Sequence, residues 1–248
     1  MGVNKIINSL LIIILALFAS YSSFTDRLNR IKNQHNESIA GVHKSTLKKT
    51  IESSVRVISS LGFDDSENIT STSSGTYFVY NEKLYVLTAA HSLIGPCNTS
   101  VIIADEYVFD CLELKYLDNE KDIAIMEVDN IINRTPIDIV ETLCTATAHK
   151  NNTRIHEQIF YTGYPQGLGP LTFDGKIVSD MQYNDIFFAH SYAWSGSSGS
   201  AVFNENGKLI GVLTAVSVAN TEYGVDVMED LIIITSLTLA DLQSFLQD

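Results

Sequence analysis

The sequence predicts an all-β protein, built as a barrel or a sandwich, that ends in one short helix. From about Ser45 onward, short runs rich in Val, Ile, Leu, Tyr, Phe and Thr alternate with turn residues, and long amphipathic helices are few. The final apolar residues recur at helical spacing, which predicts the terminal helix: Leu239, Leu242, Phe245 and Leu246.

Two hairpins are the clearest signs of the β class. The β-type runs 74–80 and 84–88 flank three turn-like residues, a pattern that predicts antiparallel strands. The runs 201–203 and 208–214 flank an Asn206-Gly207 step, which supplies the positive φ angles of a tight turn.

Composition indicates an ordered globular protein and excludes one class of partner. With 248 residues, 45% of them hydrophobic and 18% charged, the chain is long enough to bury a substantial core. Its 29 acidic residues against 16 basic ones give a formal net charge of −13, which repels phosphate backbones. We therefore expect no nucleic-acid partner.

The N-terminus has the layout of an export signal. The apolar run 10–19 follows Lys5 and precedes small polar residues, as in a signal peptide. Weaker apolar residues extend the run over 6–24, about enough to cross a bilayer, so an uncleaved membrane tether is one alternative and a buried core helix is another. We predict a signal peptide or anchor at 1–24, a polar linker at 25–44, and an exported protein that is secreted, periplasmic or membrane-tethered.

Three cysteines permit at most one internal disulfide. Cys97 and Cys111 flank a predicted hairpin around 104–106, and folding it there brings them within about one rung of each other. They are the candidate pair, with three free thiols including Cys144 as the alternative. No histidine is spaced from a cysteine as zinc ligands are, so we expect no metal site and no cofactor.

Three short motifs together indicate nucleophilic chemistry. A serine needs a base to remove its proton, a group that orients the base, and fixed donors for the oxyanion. His91 ends a predicted strand, Asp122 precedes another, and Ser198 sits in a Gly-Ser string between two more. Ser198 is preferred over the neighbouring serines because Gly196 lies two residues before it and Gly199 one after. The order His, Asp, Ser is one of several chain orders known for such triads.

These motifs resemble those of the trypsin-like peptidases, particularly the exported bacterial HtrA-like and V8-like branch. The resemblance covers about residues 50 to 245 and implies two six-stranded antiparallel β-barrels with a short C-terminal helix, in a protease domain over 45–248. Barrel one would take about 50–130 and barrel two about 150–235, without a PDZ module. The segments that carry the resemblance are 74–78 with 87–91, 122–124, 163–167 with 175–179, and 196–199 with 207–212.

The resemblance implies roles for these residues and a function. Ser198 would attack the scissile carbonyl, His91 would take its proton, Asp122 would orient the imidazole, and the backbone N–H groups of Gly196 and Ser198 would form the oxyanion hole. The chain would then be a serine endopeptidase that cleaves polypeptides through an acyl-enzyme. The alternative is a catalytically silent trypsin-like fold that acts as a binding or scaffold protein.

Two departures from digestive trypsins bear on activation and specificity. Where those enzymes place an Asp that pairs with a newly cut N-terminus, this chain has Ser197, so that salt bridge is not available. The pocket would be formed by Tyr192, Thr214, Ala215 and Val216; with no acidic group among them, Arg or Lys is not expected at the cleavage site, and Val216 favours small or aliphatic side chains. The sequence does not specify an oligomeric state.

Overall fold

A computed structural model describes residues 44–61, 69–143, 155–181, 185–221 and 224–246. Thirteen strands in these residues form two closed six-stranded antiparallel barrels, with one additional short strand on the first. The all-β class, the two barrels and the C-terminal helix are therefore confirmed. The predicted export segment and Cys144 lie outside the described residues.

Barrel one closes because its first strand pairs with two neighbours. The strand order is β1-β4-β5-β6-β3-β2, and an antiparallel ladder between β1 and β2 completes the ring. A two-residue strand, β7, adds in parallel to β2. The bounds are β1 Ser54–Ser60, β2 Thr70–Tyr80, β3 Lys83–Thr88, β4 Ser100–Ala104, β5 Tyr107–Asp118, β6 Ile123–Val128 and β7 Ile137–Asp138.

Barrel two closes in the order β8-β9-β10-β13-β12-β11. Its interior is filled by alternate residues of these strands, including Ile159, Tyr161, Ile177 and Ile234. The bounds are β8 Gln158–Gly163, β9 Leu171–Met181, β10 Ile186–His190, β11 Ala201–Asn204, β12 Leu209–Thr221 and β13 Gly224–Ser236.

Both predicted hairpins are present, and their turn residues explain them. Strands β2 and β3 are joined at Asn81 and Glu82, which have φ of 47° and 64°. Two consecutive positive φ angles define a type I′ turn, whose twist matches that of the paired strands. Strands β11 and β12 turn at Gly207, with φ of 69°.

The first and last helices of the described residues each pack on the barrel that is more distant from them in sequence. Helix α1 covers residues 44–53, and its Lys49 ammonium and Thr50 hydroxyl bond to Gly207 and Thr162 of barrel two. Helix α2 (Ile139–Thr142) is a single turn between the barrels. Helix α3 (Leu239–Phe245) begins at a Thr238 capping box and stacks Phe245 on Tyr116 of barrel one, with ring centroids 3.7 Å apart.

A shared apolar core joins α3 to both barrels. Its members come from β2, β3 and β6 of the first barrel, from β11 and β12 of the second, and from α3, so neither barrel completes this core alone. Its members include Phe78, Leu87, Ile123, Ile125, Phe203, Leu237 and Leu242, all of them buried.

Cys97 and Cys111, the candidate pair, are joined by a disulfide that ties a short 3-10 turn to β5. Within the described ranges, no helix is long and apolar enough to cross a membrane.

Candidate active site

His91 and Asp122 meet because their strands are paired. Strand β3 ends at Thr88, which lies opposite Ala124 of β6, so the residues just past the end of β3 face those just before β6. His91 lies in a 3-10 turn after β3, and Asp122 adopts a positive φ of 55° in the turn before β6. This ladder gives the two side chains their proximity.

The Asp122 carboxylate contacts His91 through both of its oxygens. Oδ1 accepts the backbone N–H of His91 at 2.8 Å, and Oδ2 lies 2.7 Å from the ring Nδ1. A carboxylate only accepts hydrogen bonds, so this contact keeps a proton on Nδ1 and leaves Nε2 of the neutral ring able to accept one. The same hydrogen bond raises the pKa of His91 above its ordinary value, against the opposing effect of partial burial.

Ser198 lies in a turn pressed against barrel one. Its carbonyl accepts the Ser74 N–H at 2.9 Å. A Cβ on Gly199 would lie 2.1 Å from the Ser74 oxygen and 3.0 Å from the Ala89 nitrogen, so this turn reaches within two residues of His91 only because position 199 is glycine. Strand β12 supports the other side, since Leu213 accepts the Gly199 N–H at 2.7 Å.

The Ser198 hydroxyl differs from the hydroxyls beside it. Ser197 and Ser200 are fully buried, and the Ser200 hydroxyl donates to the Ser197 carbonyl at 2.8 Å. The half-buried Ser198 hydroxyl donates to the Thr214 carbonyl at 3.4 Å. A hydroxyl has one proton, so the Ser198 hydroxyl must give up this bond before it donates to His91 Nε2. Such contacts are often loose in unliganded enzymes and tighten when substrate binds.

Two backbone N–H groups beside Ser198 are available as donors. Among the described residues, the N–H groups of Gly196 and Ser198 have no hydrogen-bond partner, whereas those of Ser197 and Gly199 donate to Trp194 and Leu213. Gly196 adopts a φ of 95°, and a Cβ there would lie 2.7 Å from the Tyr164 oxygen. Backbone donors without partners next to a hydroxyl can stabilise an oxyanion.

The four expected pocket residues lie in two places. Tyr192, 58% exposed, precedes the turn that contains Ser198, and its ring stacks on that of Trp194 with centroids 6.2 Å apart. Thr214 is buried on β12 with its hydroxyl 3.2 Å from that of Thr235. Ala215 and Val216 follow it, and Val216 packs against the core of barrel two.

Sequence reasoning missed several residues that shape this region. Ser74 of β2 is buried. Its hydroxyl donates to the Gly196 carbonyl at 2.7 Å and accepts the Tyr164 N–H at 2.8 Å, so it links β2 to the loops that contain these two residues. Phe173 lies between Tyr161 and Trp194, with ring centroids 5.1 and 5.8 Å away. Ser74 lies in the segment 74–78 that carries the family resemblance, but no local pattern marks the contacts of Ser74 or Phe173, because their partners are distant in the chain. Over the part of the chain described here, His, Cys, Asp and Glu form no cluster of three that could hold a metal.

Comparisons with known proteins agree with this geometry. The family model for the trypsin-like peptidase domain matches residues 73–212, more than half of the chain, which therefore belongs to this family. The matched segment contains His91, Asp122 and Ser198.

Individual relatives are more distant. The chain is 24% identical to the chloroplastic Protease Do-like 1 of Arabidopsis thaliana over 58% of its length and 33% of the relative's. It is 30% identical to the periplasmic pH-dependent serine endoprotease DegQ of Escherichia coli over 54% of its length and 29% of the relative's. The chain thus spans about a third of the length of these relatives.

Two solved structures share the fold. A serine endoprotease from Yersinia pestis superposes with a TM-score of 0.59 at 20% identity, covering 83% of this chain and 67% of the other. A protease from Mycobacterium tuberculosis in its active form gives a TM-score of 0.58 at 18% identity, covering 84% of this chain and 85% of the other.

Proposed function

We propose that this chain is a serine endopeptidase that cleaves polypeptides through an acyl-enzyme intermediate, with His91, Asp122 and Ser198 as its triad. The observation that carries the proposal is the contact of both Asp122 oxygens with His91, which leaves Nε2 of the neutral ring able to accept a proton. Family membership supports the same reaction class.

Acylation begins when the Ser198 oxygen attacks the scissile carbonyl carbon and His91 Nε2 takes the hydroxyl proton. Negative charge then forms on the substrate oxygen, where the Gly196 and Ser198 N–H groups donate to it. Asp122 stabilises the imidazolium that results. When the carbon–nitrogen bond breaks, His91 gives its proton to the departing amine, and the acyl group remains on Ser198 as an ester.

Deacylation repeats these steps with water. His91 removes a proton from a water molecule, whose oxygen attacks the ester carbon. The same two N–H groups stabilise the second oxyanion. Collapse releases the carboxylate product, and the proton on His91 returns to the Ser198 oxygen. The reaction consumes one water and needs neither metal nor cofactor.

Labelling with a fluorophosphonate tests the triad directly. The probe should form an adduct on Ser198, located by peptide mass spectrometry, and the Ser198→Ala variant should remain unlabelled. Ser195→Ala is the matched control, because Ser195 is an exposed serine in the same turn and should not affect labelling. Labelling that survives Ser198→Ala, or is lost in Ser195→Ala, would contradict the assignment.

The second candidate function is a binding protein that uses the same barrels without turnover. The hydrogen bond from Ser198 to Thr214 favours it, because that rotamer directs the proton away from His91. A folded wild-type protein that fails to react with the fluorophosphonate between pH 7 and 9 would support this candidate.

For the cleavage site, we propose a preference for small or aliphatic side chains, on the basis of Tyr192, Thr214, Ala215 and Val216. The packing of Val216 against the second-barrel core supports a narrow pocket. Profiling with a peptide library tests it, and a profile dominated by Arg, Lys or Glu would overturn it.

Export is also proposed, with residues 45–248 as the protease domain and residues 1–24 as signal peptide or tether. The apolar run supports it, as does the relative named a periplasmic serine endoprotease. Cell fractionation of wild type and Ile13→Arg tests it, since a charge inside the run should hold the protein in the cytoplasm. N-terminal sequencing of the exported form then distinguishes a cleaved signal from a retained tether.

A further inference from the structure

The orientation of one peptide unit decides whether the Gly196 N–H can serve as an oxyanion donor. Trp194 to Ser197 form a β-turn, closed by a hydrogen bond from the Ser197 N–H to the Trp194 carbonyl at 2.9 Å. The positive φ of 95° at Gly196, the third residue, is the mark of a type II turn. Types I and II differ by a flip of the central peptide, which here joins Ser195 to Gly196. In the type I form, the Gly196 N–H would point the opposite way.

A hydrogen bond at the far end of that peptide holds it in the type II form. The Gln166 N–H donates to the Ser195 carbonyl at 2.6 Å. In a trans peptide, the C=O and N–H groups point in opposite directions, so this bond turns the Gly196 N–H away from Gln166. It does not hold the turn as a whole, because Gln166 bonds to one peptide only.

The Ser197 side chain forms a second hydrogen bond within the turn. Ser197 is fully buried, and its hydroxyl oxygen accepts the Trp194 N–H at 3.3 Å. Digestive trypsins place at this position the aspartate that anchors the same turn through a salt bridge. A serine carries no charge, so any anchor at Ser197 consists of hydrogen bonds between neutral groups.

Tyr161 supplies the remaining part of that anchor. Its ring is fully buried in barrel two, and its hydroxyl donates to the Tyr192 carbonyl in the segment that leads into the turn. Hydrogen bonding with the Ser197 and Ser191 hydroxyls acts to lower the pKa of the same phenol. Burial raises the pKa of Tyr161, and these hydroxyls oppose the shift only in part, so the phenol stays neutral and able to donate.

We propose that Tyr161 and Ser197 form an uncharged anchor that fixes the Trp194–Ser197 turn in its type II form and so positions the Gly196 N–H for catalysis. Both are positioning residues, since neither touches the reacting atoms. Because no charged pair takes part, the anchor should need no newly formed N-terminus and no ionised partner. The catalytic consequence rests on the proposed peptidase function, whereas the orientation of the peptide does not.

Crystal structures of Tyr161→Phe and of wild type test the anchor without reference to activity. The substitution removes one oxygen and leaves the ring in place. The Ser195–Gly196 peptide should be flipped, or split between two orientations, with the Gln166 bond to Ser195 lost in the flipped form. Tyr77→Phe is the matched control, because Tyr77 is equally buried but bonds to Asn130 and Ile131 in barrel one. A Tyr161→Phe structure with the wild-type peptide orientation would overturn the proposal.

Kinetics provide the second readout. Removing an oxyanion donor outright costs about 100- to 1,000-fold in kcat. A turn that spends about 90 to 99% of its time in the wrong form should therefore lower kcat about 10- to 100-fold. KM should stay within about twofold, because the pocket wall is retained. Tyr77→Phe should match wild type in both constants. A loss confined to KM, or an equal loss in Tyr77→Phe, would refute a positioning role.

Ser197→Ala replaces Tyr161→Phe as the test if the latter does not fold, because it removes the other side-chain oxygen of the anchor. The same crystal-structure and kinetic measurements apply to it. The double variant should lose no more kcat than the worse single one, because the two residues act as one unit. Multiplied losses would mean that they act separately, which contradicts the proposal. If wild type does not react with the fluorophosphonate, the proposed function fails, and the crystal structures still decide whether the anchor exists.

Discussion

The carboxylate of Asp122 holds His91 at two atoms, the backbone nitrogen and the ring Nδ1. The contact with the backbone nitrogen fixes the position of the His91 main chain. The contact with Nδ1 fixes the orientation and the tautomer of the ring. Only 25% of the Asp122 side chain is exposed, so solvent competes weakly for these contacts. The proposed base, His91, is thus held in position before any substrate arrives.

Replacing Asp122 by Asn should therefore lower kcat far more than the loss of a hydrogen bond at the surface would. An amide can donate to Nδ1, which favours the tautomer whose Nε2 carries the proton and cannot accept one. The expected loss in kcat is about 10⁴-fold, with the fold retained. Steady-state kinetics and circular dichroism measure the two effects. Asp138→Asn is the control, because Asp138 caps α2 and Asn caps helices equally well. A comparable loss in kcat in this control would argue against a special role of Asp122.

The pH dependence of kcat/KM should report the titration of His91. The hydrogen bond from Asp122 raises the pKa of His91 above its model-peptide value of about 6.5. His91 accepts a proton only when neutral, so activity should rise with pH through a midpoint above that value. In Asp122→Asn the midpoint of the residual activity should move to lower pH. A wild-type midpoint below about 6 would contradict the geometry.

Gly199→Ala should damage both folding and catalysis. The position has a φ of 91°, and the new Cβ would lie 2.1 Å from the Ser74 oxygen, so the turn must move away from barrel one. Gly207→Ala is the matched control, with a φ of 69° but a nearest contact of 3.1 Å to a Thr46 side chain. Both pay about 1 to 2 kcal/mol for the left-handed backbone.

Urea denaturation and fluorophosphonate labelling separate the two costs of these glycine variants. Gly199→Ala should lose more stability than Gly207→Ala and should also label at least about 100-fold more slowly, a loss of the size expected for a disrupted oxyanion hole. Equal labelling of both variants would mean that the close approach of Gly199 to Ser74 is unnecessary.

The disulfide should contribute to stability and not to chemistry. It joins Cys97 to Cys111, 14 residues apart, in barrel one. Closing a loop of this length stabilises a fold by about 3 kcal/mol in the chain-entropy model. The double variant Cys97→Ser, Cys111→Ser should melt at lower temperature and keep its kcat at temperatures where it remains folded. A reduced kcat in the folded double variant would show that the bond also supports the His91 turn.

The sequence was informative where local chemistry decides the structure. Asn81 and Glu82 mark a turn because few residues accept positive φ, and the glycines at 196 and 199 single out Ser198 for the same reason. Helix α1 was not predicted, because its ten residues include few apolar side chains and show no clear helical periodicity. It is held by tertiary contacts such as that of Lys49 with Gly207.

The parts of the site that sequence could not supply are those that depend on distant partners. Tyr161 and Ser74 look like ordinary strand residues, since a buried tyrosine or serine in a β-run has no distinguishing pattern. Ser74 reaches Gly196 across 122 positions of the chain. Which hydroxyl meets which loop depends on barrel closure, and the register of a closed barrel is not encoded in any single segment.

The packing of α3 on barrel one places part of the support for the Asp122 turn near the end of the sequence. Lys121, next to Asp122, pairs with Asp241 of α3 at 2.7 Å across 120 positions of the chain, and the apolar residues of α3 complete the core beneath Ile123. During synthesis, barrel one emerges before the α3 residues that cover part of its core and before Asp241, the partner of Lys121. A chain that lacks α3 therefore lacks contacts that support the turn holding Asp122.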